Sequence, residues 1–165
     1  MLSFISKFNL IIFILFTGFY SYQIVYVFVS LFKKSNALHA SSNHKYAVVI
    51  AARNESAVIS QLIKSIKKQN YPAELVDIYV VADNCTDNTA EVARNAGARV
   101  FERFNRRYVG KGYALDYAFK NIMRSSESYD GYFVFDADNL LDENYISEMN
   151  KVFDNGYKIV TSYRN

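Results

Sequence analysis

Asp130-Gly131-Tyr132-Phe133-Val134-Phe135-Asp136-Ala137-Asp138-Asn139 is the stretch that decides how the chain folds. Four apolar residues, Tyr132 to Phe135, follow a turn-forming Asp-Gly and run directly into two carboxylates one residue apart. A short apolar run bounded in this way predicts a strand buried on both faces, as in a parallel sheet covered by helices. Residues i and i+2 of a strand share a side, so Asp136 and Asp138 converge if the extended geometry persists. If the backbone turns instead, one carboxylate reaches a ligand directly and the other through a metal ion. Two adjacent carboxylates raise each other's pKa unless a cation lies between them. Hard oxygen donors of this kind favour Mg²⁺ or Mn²⁺ bridging to a phosphate. A loop carrying two acids by chance matches the same short pattern, so the rest of the chain must carry the weight.

Tyr46-Ala47-Val48-Val49-Ile50-Ala51 is a second apolar run and Val76 to Val81 a third. Between them, Val58, Ile59, Leu62, Ile63 and Ile66 recur at spacings of three and four, with Lys64, Lys67 and Lys68 on the other side. That spacing predicts an amphipathic helix, stopped at Asn70-Tyr71-Pro72. Thr86 reads as the N-cap of a helix that holds Val92 and Ala93 and ends at Gly97. Arg99-Val100-Phe101 reads as a short strand. Arg103, Arg106 and Arg107 then lead through Gly110-Lys111-Gly112 into a helical stripe of Ala114, Leu115, Ala118, Phe119, Ile122 and Met123. Beyond the opening stretch, Tyr145, Ile146, Met149, Val152 and Phe153 mark a helix ended by Gly156, and Lys158 to Tyr163 reads as one more strand.

Strands alternating with helices predict an α/β fold with right-handed crossovers and a mostly parallel sheet flanked by helices. Open sheets of this class bind ligands beyond the carboxyl ends of their strands. Glu55, then Asp83 and Asp87, then Asp136 and Asp138 follow three of the runs, and topology places them along one edge.

The N-terminal part has a different composition. Phe8 to Phe32 is 25 residues without a charge, long enough to cross a bilayer with some tilt. A cleavable signal peptide has a shorter apolar region ending in small residues, and a core helix this apolar is unusual in so small a domain. Residues 1–34 are therefore read as a transmembrane anchor, with the lipid bilayer as a partner. Lys33 and Lys34 close the span and His39, His44 and Lys45 follow, against Lys7 alone on the other side. The positive-inside tendency then predicts a single-pass protein of the cell membrane whose bulk faces the cytoplasm. Residues 35–45 read as a polar linker, its two histidines solvated rather than metal-binding. Residues 46–165 form the globular domain.

The chain of 165 residues has 19 basic and 16 acidic side chains. Four of the basic ones and none of the acidic ones lie in residues 1–45, which leaves 15 against 16 for the domain. A near-neutral domain offers no electrostatic footprint for nucleic acid. The single cysteine, Cys85, excludes an internal disulfide and has no neighbouring histidine to make it a catalytic thiol.

Four segments, in this order, resemble family-2 glycosyltransferases of the Rossmann-like GT-A type. Ala51-Ala52-Arg53-Asn54-Glu55 resembles the first-strand motif that holds the nucleotide. Val81-Ala82-Asp83-Asn84-Cys85-Thr86-Asp87-Asn88-Thr89 resembles the V-x-D-x-S-x-D-x-T loop, and Gly110 to Asp116 the G-K-x-x-A-L segment. Asp136-Ala137-Asp138 resembles the metal-binding D-x-D. The resemblance covers roughly residues 46–163. It implies a GT-A nucleotide-sugar-binding domain that holds a nucleoside-diphosphate sugar, with a UDP-sugar as the expected donor. Substrate-binding residues implied by it are Ala52, Asn54, Glu55, Asp83, Lys111 and Asp136. Glu55 and Asp83 would accept hydrogen bonds from base and ribose, and Asp136 and Asp138 would hold Mg²⁺ or Mn²⁺ on the diphosphate. Lys111, with Arg107 as a second candidate, would offset phosphate charge. Asp87 divides evenly between capping the next helix and a ligand role, and Asp116 reads as a solvated helix face. The implied reaction is sugar transfer to an acceptor hydroxyl with inversion.

The sequence also departs from that family, whose catalytic base and Q-x-x-R-W motif lie well downstream of D-x-D. Only 27 residues follow Asp138, with no such motif and no Trp. Asp142, Glu143, Glu148 and Asp154 read there as caps and surface charges, so no catalytic base is identified. The expectation is a donor-binding half, incomplete at the C-terminus or cooperating with a second polypeptide, that binds a nucleotide sugar better than it turns one over. A non-catalytic nucleotide-sugar-binding subunit is the alternative. Haloacid-dehalogenase phosphatases also place Asp-x-Asp after an apolar strand, but near the start of the domain and with a Thr or Val close behind. Here Asn139 and Leu140 follow.

Overall fold

The computed structural model describes residues 2–32 and 38–162. Lys33, Lys34, residues 35–37 of the expected linker and Tyr163 of the expected last strand lie outside them. The chain divides into two units, Met1–Ala37 and Leu38–Asn165.

Among the described residues the first unit contains one helix, α1 (Leu2–Phe32). Its stretch Phe4–Phe32 is 29 residues of apolar composition, long enough to cross a membrane. Every side chain along that stretch is exposed. A helix apolar on all sides, with no face buried in protein, is unlike an amphipathic core helix.

The second unit runs β1 (Tyr46–Ala52), α2 (Ile59–Lys67), a short 3₁₀ turn (Ala73–Leu75), β2 (Val76–Asp83), α3 (Thr89–Asn95), β3 (Arg99–Arg103), α4 (Lys111–Arg124), β4 (Gly131–Asp136) and α5 (Tyr145–Asp154). The four strands form one parallel sheet in the order β3-β2-β1-β4. The predicted α/β alternation is the observed one.

β1 lies between two partners and is buried on both faces, which its unbroken apolar run requires. Its alternate residues serve different layers. Tyr46, Val48 and Ile50 point to a core closed by Ile59, Leu62, Ile63 and Ile66 of α2, Ala93 of α3 and Ile146 of α5. Ala47 and Val49 point to a second core with Val81 of β2 and Ala114, Ala118 and Ile122 of α4. The four apolar residues of α2 recur on one stripe, and each such side chain fully buried contributes about 1.5–3 kcal/mol. α3 ends in a Schellman turn: the Gly97 N–H donates to the Arg94 carbonyl at 2.8 Å and the Ala98 N–H to the Ala93 carbonyl at 3.1 Å. Gly97 sits at φ +90°, where only glycine is unstrained.

Expectations for two strands and one helix cap differ from the observed structure. β4 is an edge strand, and Tyr132 and Val134 remain 40% and 39% exposed because α4 packs mainly over β1, β2 and β3 and meets β4 at its margin, where the Phe119 and Tyr132 rings lie 5.3 Å apart. Residues 158–162 form no strand, and Ile159 is 91% exposed, so its apolar pattern has no ladder or core to satisfy. Thr86 does not cap α3, which begins three residues later with Asn88 at the N-cap.

The segment before β1 is tied down rather than solvated. Asp154 at the end of α5 accepts the Ser41 N–H at 2.6 Å, the Ser42 hydroxyl at 2.9 Å and His44 Nε2 at 2.8 Å. Buried Asn150 donates to the Ser42 carbonyl at 2.9 Å and accepts from the Tyr46 and Tyr71 hydroxyls at 2.8 and 3.0 Å. Burial raises the pKa of both tyrosines, so they remain neutral donors.

Candidate functional site

The parallel register decides which side chains share a rim. Ala51 pairs with Asp136 of β4 and with Val81 of β2, Ala52 with Ala82, and Asp83 with Arg103 of β3. The ends of all four strands therefore lie level at the carboxyl edge of the sheet, where the loops carrying Glu55, Asp87, Lys111 and Asp138 begin.

Asp83 closes β2 with its side chain 6% exposed. Arg103 Nη1 donates to its Oδ1 at 2.5 Å, and the Asn84 amide donates to the same oxygen at 3.0 Å. The Arg103 guanidinium also reaches the Tyr108 carbonyl at 2.6 Å, which ties the second half of the β3–α4 loop back to the strand end. A buried carboxylate needs such a partner, since an unpaired charge there would be costly. In the sequence Arg103 stands in an irregular basic stretch. Its role depends on the β2–β3 register, and no local signal in the sequence carries that.

The β1 and β2 loops are laced together. Asn54 and Asn84 both adopt the left-handed region, at φ 57° and 52°, which asparagine tolerates better than most residues. The Asn54 side-chain oxygen accepts the Thr86 N–H at 2.8 Å, and its own N–H faces Cys85 Sγ at 3.4 Å. The Glu55 N–H donates to the Thr89 hydroxyl at 2.8 Å, and the Ser56 N–H to Asp87 at 3.2 Å. Asp87 in turn accepts the Thr89 N–H at 3.0 Å as well as its hydroxyl. The Thr89 hydroxyl above all, then the Ser56 contacts, lower the Asp87 carboxyl to about 2. Asp87 thus holds the first N–H of α3, the helix-capping one of its two expected roles, and also ties the β1 loop through Ser56. Asn54 spends its oxygen on Thr86, and Ala52 is 1% exposed with its carbonyl facing Cys85 Sγ at 3.5 Å. The Glu55 carboxylate makes no hydrogen bond or ion pair among the described residues. A second brace joins β2 to the next loop: Asn105 N–H donates to the Asn84 side chain at 2.8 Å, and the Asn84 amide to the Asn105 carbonyl at 3.2 Å.

Lys111 opens α4 and pairs with Asp136 at the end of β4. Both are roughly half exposed, so a ligand can reach either. The chain turns immediately after Asp136: Asn139 N–H donates to the Asp136 carbonyl at 3.2 Å, and the Asn139 side chain accepts the Asp136 N–H at 3.2 Å. Asp138 is exposed on that turn. Strand alternation does not continue to it, which corresponds to the second of the two geometries open at the sequence level. The donor set is two hard carboxylates, one paired with an exchangeable lysine, and no cluster of three or more potential ligands occurs among the described residues. That set fits Mg²⁺ or Mn²⁺ held by one or two carboxylates and otherwise by water and phosphate oxygens. Of the acids after the Asp136–Asn139 turn, Asp142 caps Asn144 at 2.9 Å, Glu148 pairs with Lys151, and Asp154 holds residues 41–44.

Residues 44–165 match the family described as Glycosyltransferase like family 2. The chain belongs to that family. Among the relatives of this family-2 chain is a 4,4'-diaponeurosporenoate glycosyltransferase of Staphylococcus aureus, 41% identical over 76 residues, which are 44% of this chain and 20% of the relative. Its GT-A fold is shared with the mannosyltransferase PcManGT from Pyrobaculum calidifontis, solved with GDP-Man and Mn²⁺, at a TM-score of 0.67 and 19% identity over 84% of this chain and 42% of that one. Staphylococcus aureus TarS residues 1–349, solved with UDP-GlcNAc, aligns at a TM-score of 0.56 and 21% identity over 67% of this chain and 31% of that one. The family-2 chain thus spans a fifth of the curated relative and less than half of either solved one.

Proposed function

We propose that the chain is the donor-binding part of a membrane-anchored inverting glycosyltransferase, which holds a nucleoside-diphosphate sugar, with UDP as the nucleotide, for transfer to an acceptor hydroxyl. The observation that carries this reading is the exposed Lys111–Asp136 pair at the same strand-end rim as Asp83. Carboxylates accept from donors only, so Glu55 and Asp83 suit the imide N–H of a base and the hydroxyls of ribose. Asn54 and Asp87 act by holding the β1 and β2 loops around that nucleotide. Asp136 and Asp138 would hold Mg²⁺ or Mn²⁺, whose positive charge would stabilise the departing diphosphate. Lys111 exchanges Asp136 for a phosphate oxygen when donor binds, placing a second cation where charge develops. No residue is assigned to the proton of the acceptor hydroxyl. α1 is taken as the single membrane span, with the second unit on the cytoplasmic side, and protease protection in oriented vesicles tests that sidedness.

Equilibrium binding of UDP- and GDP-sugars to the solubilised full chain in Mn²⁺ tests the reading. A UDP-sugar is expected to bind, and failure of every nucleotide sugar would overturn it. Sugar release or transfer is expected to be slow beside binding. Rapid transfer by this chain alone would contradict its assignment as a donor-binding part.

A further inference from the structure

The β3–α4 loop and the first turn of α4 expose four large apolar or aromatic side chains within ten residues. Phe104, Tyr108, Val109 and Tyr113 are 72%, 45%, 45% and 49% exposed. Arg106 and Arg107 stand among them, both exposed, and residues 103–115 contain no acid. Single exposed apolar residues are ordinary, whereas a cluster rimmed by charge marks a contact surface. The loop is braced in this presentation. Asn105 accepts the N–H groups of Arg107 and Tyr108, each at 2.9 Å, and Arg103 holds the Tyr108 carbonyl from within. The Tyr108 and Tyr113 rings lie 5.3 Å apart, and the Arg107 guanidinium is 5.4 Å from the Tyr108 ring.

We propose that this loop is a second membrane-contact surface, which seats Phe104, Tyr108 and Tyr113 at the headgroup level of an anionic phospholipid bilayer while Arg106 and Arg107 pair with lipid phosphates. Aromatic rings with a polar edge favour that level, and arginine binds phosphate in two-pronged fashion. The missing acids make the surface complementary to anionic lipid, with an attraction that salt screens. A nucleotide base would stack on one ring, which leaves the rest of the exposed apolar cluster, Val109 included, without a partner. The proposal rests on α1 holding the chain at a bilayer, which vesicle flotation reports separately.

The chain contains no tryptophan, so an introduced indole is a unique reporter. The full-length Phe104→Trp variant is reconstituted into vesicles of phosphatidylcholine with or without phosphatidylglycerol, each prepared with ordinary or brominated acyl chains. Met123→Trp, at a 70% exposed position near the far end of α4, is the control. In brominated anionic vesicles the emission of Phe104→Trp is expected to fall about two-fold or more, and that of Met123→Trp to stay unchanged. Adding R106E and R107E, or removing phosphatidylglycerol, is expected to restore the emission. Equal emission of Phe104→Trp in brominated and ordinary anionic vesicles, in preparations whose flotation shows anchorage, overturns the proposal. So does quenching indifferent to both arginines, or an indole that responds to UDP and not to lipid.

Discussion

Arg103 Nη1 and Asp83 Oδ1 stand 2.5 Å apart with the two side chains 8% and 6% exposed. This buried pair joins the ends of two strands and hands the Tyr108 carbonyl its donor. Removing one partner of such a pair leaves an uncompensated charge and costs roughly 3–5 kcal/mol. Arg103→Ala is therefore expected to destabilise the second unit by that amount in urea titrations of the solubilised chain. Replacing both, as Arg103→Met with Asp83→Leu, is expected to recover most of it. A loss under about 1 kcal/mol for Arg103→Ala would show that the pair does not organise the rim.

Asn54 performs two local tasks, a left-handed backbone and an acceptor for Thr86. Asn54→Ala loses both, and the strain and the lost bond together are expected to cost about 1–3 kcal/mol. Asn54→Gly keeps the backbone and loses only the bond, so it is expected to be the milder change. Urea midpoints in the order wild type, Asn54→Gly, Asn54→Ala check this ranking, and equal midpoints for the two variants would refute it.

The Asp154 clamp on residues 41–44 has a pH signature. The Ser41 N–H first, then His44 and the Ser42 hydroxyl, lower the carboxyl from its ordinary 3.8 to about 2. A value depressed by folding adds stability above the unfolded value, and this is lost as pH falls from about 4 toward about 2. Asp154→Asn is expected to be less stable than wild type at neutral pH and to lose less on acidification across that interval. Parallel acid-unfolding curves for the two proteins would exclude the clamp.

Lys111 is expected to act on donor rather than on folding. Its ammonium is half exposed, and pairs of that kind contribute little to stability. Lys111→Ala should therefore melt near wild type and bind UDP in Mn²⁺ about ten-fold more weakly, as loss of a charge-assisted bond to phosphate predicts. Unchanged UDP affinity, read by calorimetry, would remove Lys111 from the site.

Much of the scaffold was legible because it is periodic. The Ile59–Leu62–Ile63–Ile66 stripe, the unbroken apolar run of β1 and the glycine after α3 are local signals that packing did not override. What escaped is non-local. The exposure of Tyr132 and Val134 depends on where α4 crosses the sheet, and Arg103 acquires its partner only through the β2–β3 register. Thr86 fits a cap by composition, but Asn54 claims its N–H across the loops, and Asp87 braces Thr89 instead. Residues 158–162 have a strand-like composition, and pairing, which composition does not report, decides whether a strand forms.

In the proposed site, Asp136 and Asp138 hold a nucleoside diphosphate through a divalent ion at the carboxyl edge of the sheet. Calorimetric titration of UDP into the solubilised full chain tests it most directly, with Mn²⁺, with EDTA, and in Asp138→Asn with Mn²⁺. Binding in Mn²⁺ is expected to weaken by at least about ten-fold with EDTA and in the variant. Equal UDP affinity under all three conditions would contradict it.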